Sequence, residues 1–114
     1  MTRDALLYLY DILESIEKIQ QYTANLTFED FVANNMAVDA VVRNFEIIGE
    51  AASHIPDNIQ SKYSEVPWFE MKGMRNIMVH EYFRVDLKIV WMTARVSLPA
   101  LVPIIKRIIA ERQQ

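Results

Sequence analysis

The stretch that decides the fold is NMAVDAVVRNFEIIGEAASH, residues 35–54. Apolar residues recur in it at steps of three and four, the repeat of one helical face. They are Val38, Val41, Phe45, Ile48 and Ala52. The opposite face carries an unbroken line of polar residues, called here the polar ridge. The ridge is Asp39, Arg43, Glu46, Glu50 and His54. The pattern predicts a long amphipathic helix. Its ridge is either a solvated ladder of ion pairs or a means of orienting catalytic groups from a neighbouring helix.

Three further long helices are predicted on the same grounds. The first runs from about Asp4 to Tyr22, the third begins at Pro67, and the last follows an N-cap at Asp86. Because only short connections separate the four helices, we expect one all-α domain over residues 1–114. Its architecture would be an antiparallel bundle of four main helices with short extra helical turns.

Breaks in the apolar repeat mark the connections. Thr27 and Asp30 predict a capping box before a short turn or helix. Residues 55–66 lose the periodicity and predict a loop or short helical turns. Pro99 and Pro103 each remove a helical hydrogen bond, so a kink or break is expected between Ser97 and Pro103.

Composition limits the function classes. The chain has 114 residues, 52% of them hydrophobic, with no cysteine and a net charge of −3. Thiolate metal sites and disulfides are therefore excluded, and so is a basic face that coats nucleic acid. A cleft that grips a few nucleotides is still allowed. The amino terminus lacks a signal-peptide pattern, and no uninterrupted apolar run approaches the ~18 residues of a membrane span, so a cytoplasmic protein without a membrane role is expected.

The decapeptide MRNIMVHEYF, residues 74–83, carries the chemistry. Arg75 offers a forked cation for phosphate, and His80 can exchange a proton near neutrality. Asn76 can position either group by hydrogen bonds, and Tyr82 supplies a hydroxyl. Five residues separate Arg75 from His80, which is about 140° on an ideal helix. Either the helix distorts or ends near His80, or the two residues meet across a dimer interface.

These residues and their spacing resemble the motif of the HEPN superfamily, small helical domains of prokaryotic defence and toxin systems. Within it, the chain is most similar to the HepT-like toxins of HepT–MntA pairs. The resemblance extends over most of the sequence, in four blocks that stand in the family's order. The blocks are residues 11–14, residues 43–51, residues 66–68 with 73–76, and residues 85–91. It implies a homodimer with the motifs at the dimer interface.

A metal-independent ribonuclease fits this inventory, because RNA brings its own nucleophile, the 2′-hydroxyl. Such an enzyme needs only a base and cations on the transition state. We expect catalysis from Arg75 on the scissile phosphate, His80 in proton transfer and Asn76 as a positioning residue. The cut would be an endonucleolytic one or a trimming of RNA ends, possible targets including tRNA. Arg43, Glu46 and Glu50 are expected to support the site. We expect neither a metal nor a cofactor.

The resemblance also implies a partner and a modification. In HepT–MntA pairs, MntA is a minimal nucleotidyltransferase that transfers AMP to the tyrosine matching Tyr82. An AMP beside Arg75 and His80 would fill the phosphate site and neutralise the toxin. Glu81 departs from the small or shorter acidic residue that relatives often carry between the histidine and the tyrosine.

Other interpretations of the same residues stay open. Arg75 could be the ion-pair partner of Glu46 or Glu50 on the second long helix, a role compatible with phosphate binding. The main alternative function is a non-catalytic helical module that presents substrate or nucleotide to a partner nucleotidyltransferase. A structural dimer locked by the motif is a third. Trp68, Trp91 and the methionines of the third helix are interpreted as core, because they lie on apolar stripes.

Overall fold

A computed structural model describes the backbone of residues 4–80 and 86–113, and the side chains of residues 4–75 and 86–113. Within these ranges the regular structure is entirely helical, which confirms the all-α class. The helices are α1 Ala5–Thr23, α2 Phe28–Ala33, α3 Asn35–Ser53, α4 Asp57–Lys62, α5 Trp68–His80, α6 Leu87–Met92 and α7 Val102–Arg112. A π-helical turn, Thr93–Ser97, and a 3-10 turn, Pro99–Leu101, join α6 to α7.

Side-chain caps fix the helix starts. The Asp4 carboxylate accepts a hydrogen bond from the Leu6 amide at 2.8 Å, which starts α1. The predicted capping box is confirmed: the Asp30 amide donates to the Thr27 hydroxyl at 3.1 Å, and the Thr27 amide donates to the Asp30 carboxylate at 3.2 Å. Asp86 caps α6, as predicted, by accepting from an amide two residues on.

Helix α3 is the centre of the bundle. It packs against α1 on one side and α5 on the other, and α1 also packs against α7. The apolar stripe predicted for α3 is buried throughout, and so is most of the stripe predicted for α1. These two stripes and the inner face of the C-terminal helices form one core, so the polar ridge of α3 faces outward.

The C-terminal helical stretch is irregular where the prolines predict it to be. The Leu98 amide donates to the Thr93 carbonyl at 2.9 Å, a bond that spans five residues and defines the π-turn. The 3-10 turn then begins at Pro99, and α7 has Pro103 in its first turn, where a missing N–H is harmless. The distortion starts at Thr93, four residues before the predicted start at Ser97. The reason is that the π-turn, which precedes Pro99, accommodates the proline.

The stretch Leu87–Arg112 qualifies the expectation that no segment resembles a membrane span. By length and composition alone it could cross a membrane, with a mean hydropathy of 1.4 over an 18-residue window. Its inner stripe, which includes Ala94, Leu98 and Ile105, is buried in the bundle core. Core helices pass the same test, although only 28% of this window is buried in the bundle.

The aromatic residues interpreted as core differ in their burial. Trp68 is buried, and its indole N–H donates to the Tyr63 carbonyl at 3.0 Å. Trp91 is only half-buried. Its ring lies 5.2 Å from that of Phe31 and 6.2 Å from that of Phe28 (centroid distances), which joins α6 to α2. Its packing role is therefore confirmed, whereas its full burial is not.

Candidate active site

A polar cleft of about 320 Å³ opens between α1, α3 and α5. The middle of the polar ridge of α3, Arg43, Glu46 and Glu50, forms its floor, and side chains of α1 and α5 contribute its walls. The lining residues are Tyr8, Asp11, Arg43, Glu46, Ile47, Glu50, Ala51 and Arg75. Four of the residues predicted for the site therefore come together: Arg43, Glu46, Glu50 and Arg75.

Arg75 enters the cleft from α5 and forms an ion pair with Glu50 of α3. Its Nε lies 2.9 Å from Glu50 Oε2, and both side chains are about half exposed. The ion pair decides between the two partners that the sequence left open, in favour of Glu50. The contact is made by Nε, and a guanidinium has two further nitrogens that can donate to a phosphate.

Gly49 explains how α5 comes so close to α3. A Cβ built at Gly49 would lie 2.5 Å from the Arg75 amide nitrogen and 2.6 Å from the Arg75 Cβ. No side chain fits in that space, so the missing side chain lets the backbone of Arg75 rest directly on α3. Gly73 differs, because a Cβ there would meet nothing within 4 Å among the described residues.

Two further polar pairs lie along α3. Arg43 Nη1 donates to Glu46 Oε2 at 3.3 Å. One turn beyond Glu50, His54 Nε2 lies 3.1 Å from Glu50 Oε1. The His54 ring also stacks on Tyr8 of α1, with centroids 4.9 Å apart and planes 14° from parallel. The polar ridge is thus both a ladder of ion pairs and the support of an arginine from the neighbouring helix.

The charge balance of the cleft bears on its ligands. Among the described side chains, three carboxylates, Asp11, Glu46 and Glu50, face two guanidinium groups, Arg43 and Arg75. Each guanidinium has a carboxylate of α3 within ion-pair distance. A phosphodiester must therefore compete with these carboxylates, or gain further cations, to bind in this cleft.

The remaining motif residues follow Arg75 along α5. The helix continues without interruption to His80, its last residue, so the distortion considered between Arg75 and His80 is absent from its backbone. The two positions therefore differ by about 140° around the helix axis. The side chains of Asn76 and His80 lie outside the described ones, as do Glu81 and Tyr82 entirely, and their roles stay predictions.

A metal site has no support in the described part of the chain. Residues 4–75 and 86–113 contain no group of three or more histidine or carboxylate side chains that could hold a metal ion. The paired arginine and carboxylate side chains suit binding of an anion or proton transfer.

Sequence reasoning missed two residues of the cleft. Asp11 and Tyr8 were not assigned to the site, yet both line it, and Asp11 makes contacts of its own. His54 was placed in the polar ridge, but its contact with Tyr8 arises only because α1 and α3 pack side by side. Asp11 had one available signal, since it opens the first of the four blocks of resemblance. Tyr8 had none.

An all-α bundle with this motif on α5 has the features of a HEPN domain, and comparisons with known proteins support that class. The profile of the Ribonuclease HepT-like family matches residues 12–108. A Thermococcus cleftensis protein named "Probable ribonuclease HepT" is 43% identical over 94 residues, 82% of this chain and 86% of that protein. A Methanocaldococcus jannaschii protein, named as a candidate RNase, is 41% identical over 109 residues, 96% of this chain and 90% of that protein.

A second M. jannaschii protein shows the same module in a longer chain. Its name joins gamma-glutamylcyclotransferase to a candidate RNase, and it is 41% identical over 111 residues. The match covers 97% of this chain and 50% of that protein. No solved structure matches the sequence. The chain belongs to the HepT-like ribonuclease family of the HEPN superfamily.

Proposed function

We propose that this protein is the toxin of a cytoplasmic toxin–antitoxin pair and acts as a metal-independent ribonuclease. It would cut RNA internally or trim RNA ends through a composite site at a homodimer interface. A partner nucleotidyltransferase would neutralise it by transferring AMP to Tyr82. The family and the names of the relatives support RNA as the substrate.

The observation that carries this proposal is the ion pair between Glu50 and Arg75 at 2.9 Å in an open cleft. A carboxylate that holds one side of a guanidinium limits its rotation and leaves its other nitrogens for a phosphate. The arginine thus has a fixed place before any substrate arrives, which is how electrostatic stabilisation of a transition state becomes effective.

The proposed reaction uses groups that RNA and the motif supply. A base removes the proton of a 2′-hydroxyl, and the freed oxygen attacks the adjacent phosphorus. Arg75 stabilises the additional negative charge on the phosphoryl oxygens. The bond to the 5′-oxygen then breaks, and an acid returns a proton to that oxygen. His80 serves one of these two proton transfers, with Asn76 positioning either His80 or the phosphate.

Three observations support a composite site in a dimer. The positions of Arg75 and His80 lie about 140° apart around one continuous helix, so a single copy places them on different helix faces. Among the side chains that the structure describes, the carboxylates of the cleft outnumber the guanidinium groups, so added cations from a second copy would favour RNA. The C-terminal helical stretch also exposes an apolar stripe at steps of three and four residues: Ile89, Met92 and Val96.

The direct test is RNA cleavage by the purified chain in excess EDTA, beside the variant His80→Ala. Intact mass is measured first, because a preparation already carrying AMP on Tyr82 would look inactive. Cleavage that disappears in the variant supports a metal-independent nuclease that uses His80. If demonstrably unmodified protein cuts no species in total cellular RNA, the non-catalytic module that presents substrate or nucleotide to a nucleotidyltransferase becomes the better account.

A further inference from the structure

Glu50 is the shared partner of two side chains. Its Oε2 lies 2.9 Å from Arg75 Nε, and its Oε1 lies 3.1 Å from His54 Nε2. One carboxylate therefore links the end of α3 to the arginine of α5. The two contacts are made by different oxygens of the carboxylate.

The imidazole in this arrangement is itself held from a third helix. Tyr8 of α1 stacks on His54 with ring centroids 4.9 Å apart and planes 14° from parallel. Tyr8 also lines the cleft, whereas His54 adjoins it through Tyr8 and Glu50. A histidine that only formed a helix-surface ion pair with Glu50 would not need this stacking contact, so the geometry points to a fixed position for the ring.

The pairing mode of Glu50 matters because guanidinium and carboxylate groups readily form a two-bond fork. In that fork, the two carboxylate oxygens would each accept a hydrogen bond from a different nitrogen of Arg75. Fewer nitrogens of the guanidinium would then be left to bind a phosphate. His54 engages Oε1, while the contact with Arg75 Nε is made by Oε2. With Nε2–H as the donor, this contact would also reduce the negative charge on the carboxylate that competes with phosphate for the guanidinium.

We propose that His54 is a positioning residue for Arg75, acting through Glu50 to keep the arginine available to a phosphodiester. The inference rests on the proposed function and adds to it a residue outside the motif. The titratable groups in contact with the imidazole, among the described side chains, are Glu50 on its own helix and Tyr8 on α1.

The test compares His54→Ala with His54→Gln, whose amide nitrogen can still donate to Glu50. We expect His54→Ala to raise KM for RNA by about three- to five-fold with kcat nearly unchanged, because exposed ion pairs contribute little energy. His54→Gln should restore the KM of the wild type. In a Glu50→Gln background, His54→Ala should have no further effect on KM, because the residue through which it acts has changed.

A second readout does not depend on activity. The NMR signal of the Arg75 Nε–Hε group should shift in His54→Ala and stay in place in His54→Gln. Lys18→Ala is the matched control, since it breaks another exposed pair on a helix surface, with Glu14 at 3.1 Å, outside the cleft. It should change neither the Arg75 signal nor KM.

The two proposals fail in different ways. If the wild type cleaves RNA and His54→Ala leaves both KM and the Arg75 signal unchanged, His54 has no positioning role. The same conclusion follows if His54→Ala acts equally in the Glu50→Gln background. If no RNA is cleaved but the Arg75 signal shifts as expected, the link through Glu50 stands and the ribonuclease proposal fails.

Discussion

Arg75 owes its place to two residues of the neighbouring helix, Gly49 and Glu50. Glycine lets the backbones touch, and the glutamate fixes the guanidinium. The sequence predicted an ion pair with Glu46 or Glu50 but could not choose between them. Glu46 and Glu50 are four residues apart on one helix face, so the choice depends on the relative position of α5 along the axis of α3. No local sequence pattern determines that position.

At this scale the first prediction concerns the shape of the cation. Arg75→Lys keeps the charge but loses the planar fork, so RNA cleavage should fall by ~10²-fold. The melting temperature should change little, because a half-exposed ion pair contributes ~1 kcal/mol or less to the free energy of unfolding. Arg112→Lys, in the exposed last turn of α7, is the control and should behave as wild type. Full activity in Arg75→Lys would show that phosphate is not bound by the fork.

At the scale of elements, local sequence signals were sufficient to predict the helix caps and the distortion near the prolines. The Thr27–Asp30 capping box, the Asp86 cap and the proline-induced distortion are each set by residues within one or two turns. The contact of Tyr8 with His54 could not be predicted from the sequence, because it depends on the rotation of α1 relative to α3. Residues 55–66 were predicted as a loop or short helical turns, and the six-residue helix α4 there agrees with the second of these.

The two glycines give a matched pair for the packing of α5. Gly49→Ala should lower the free energy of unfolding by ~1–3 kcal/mol, because the added Cβ overlaps the backbone of Arg75. It should also lower cleavage by displacing that residue. Gly73→Ala has open space and should raise the free energy of unfolding by up to ~1 kcal/mol through better helix propensity. Urea unfolding measures both, and a neutral Gly49→Ala would contradict the close packing of α5 on α3.

A third prediction concerns the attachment of α7. The Tyr63 hydroxyl donates to Glu111 Oε1 at 2.8 Å, and this hydrogen bond, with burial, raises the pKa of Tyr63 above its usual 10.0. The raised pKa means that the folded state favours the protonated phenol. The stabilisation is therefore complete below pH 10 and is lost as the pH rises through the folded-state pKa. Tyr63→Phe should show a smaller loss of unfolding free energy between pH 9 and about pH 11 than the wild type. Equal losses would contradict the proposed link.

At the scale of the whole molecule, regulation is proposed to act through Tyr82. Tyr82→Phe should keep its ribonuclease activity, because the phenol is no part of the proposed chemistry. It should also escape neutralisation by a cognate nucleotidyltransferase with ATP, since the acceptor hydroxyl is gone. Intact mass and RNA cleavage measure the two effects, with wild-type protein as the control. A variant that still gained AMP and lost activity would place the modification on another residue.

Assembly was predicted from the family resemblance, and the spacing of Arg75 and His80 left it open as one of the alternatives. One chain holds Arg75 in a cleft and places His80 about 140° further around the same helix. Periodicity within a helix reveals which residues share a face, but it contains nothing about which copy supplies the opposing group. The exposed stripe of Ile89, Met92 and Val96 offers a surface for a second copy.

Complementation between inactive subunits tests the composite site most directly. Arg75→Ala and His80→Ala chains are mixed, allowed to exchange, and assayed for RNA cleavage in EDTA. In a two-fold dimer, each mixed pair has one site with both residues intact, so random exchange should restore about a quarter of wild-type activity. Activity that remains at the sum of the two parents, with exchange verified by mass, would contradict a site shared between subunits.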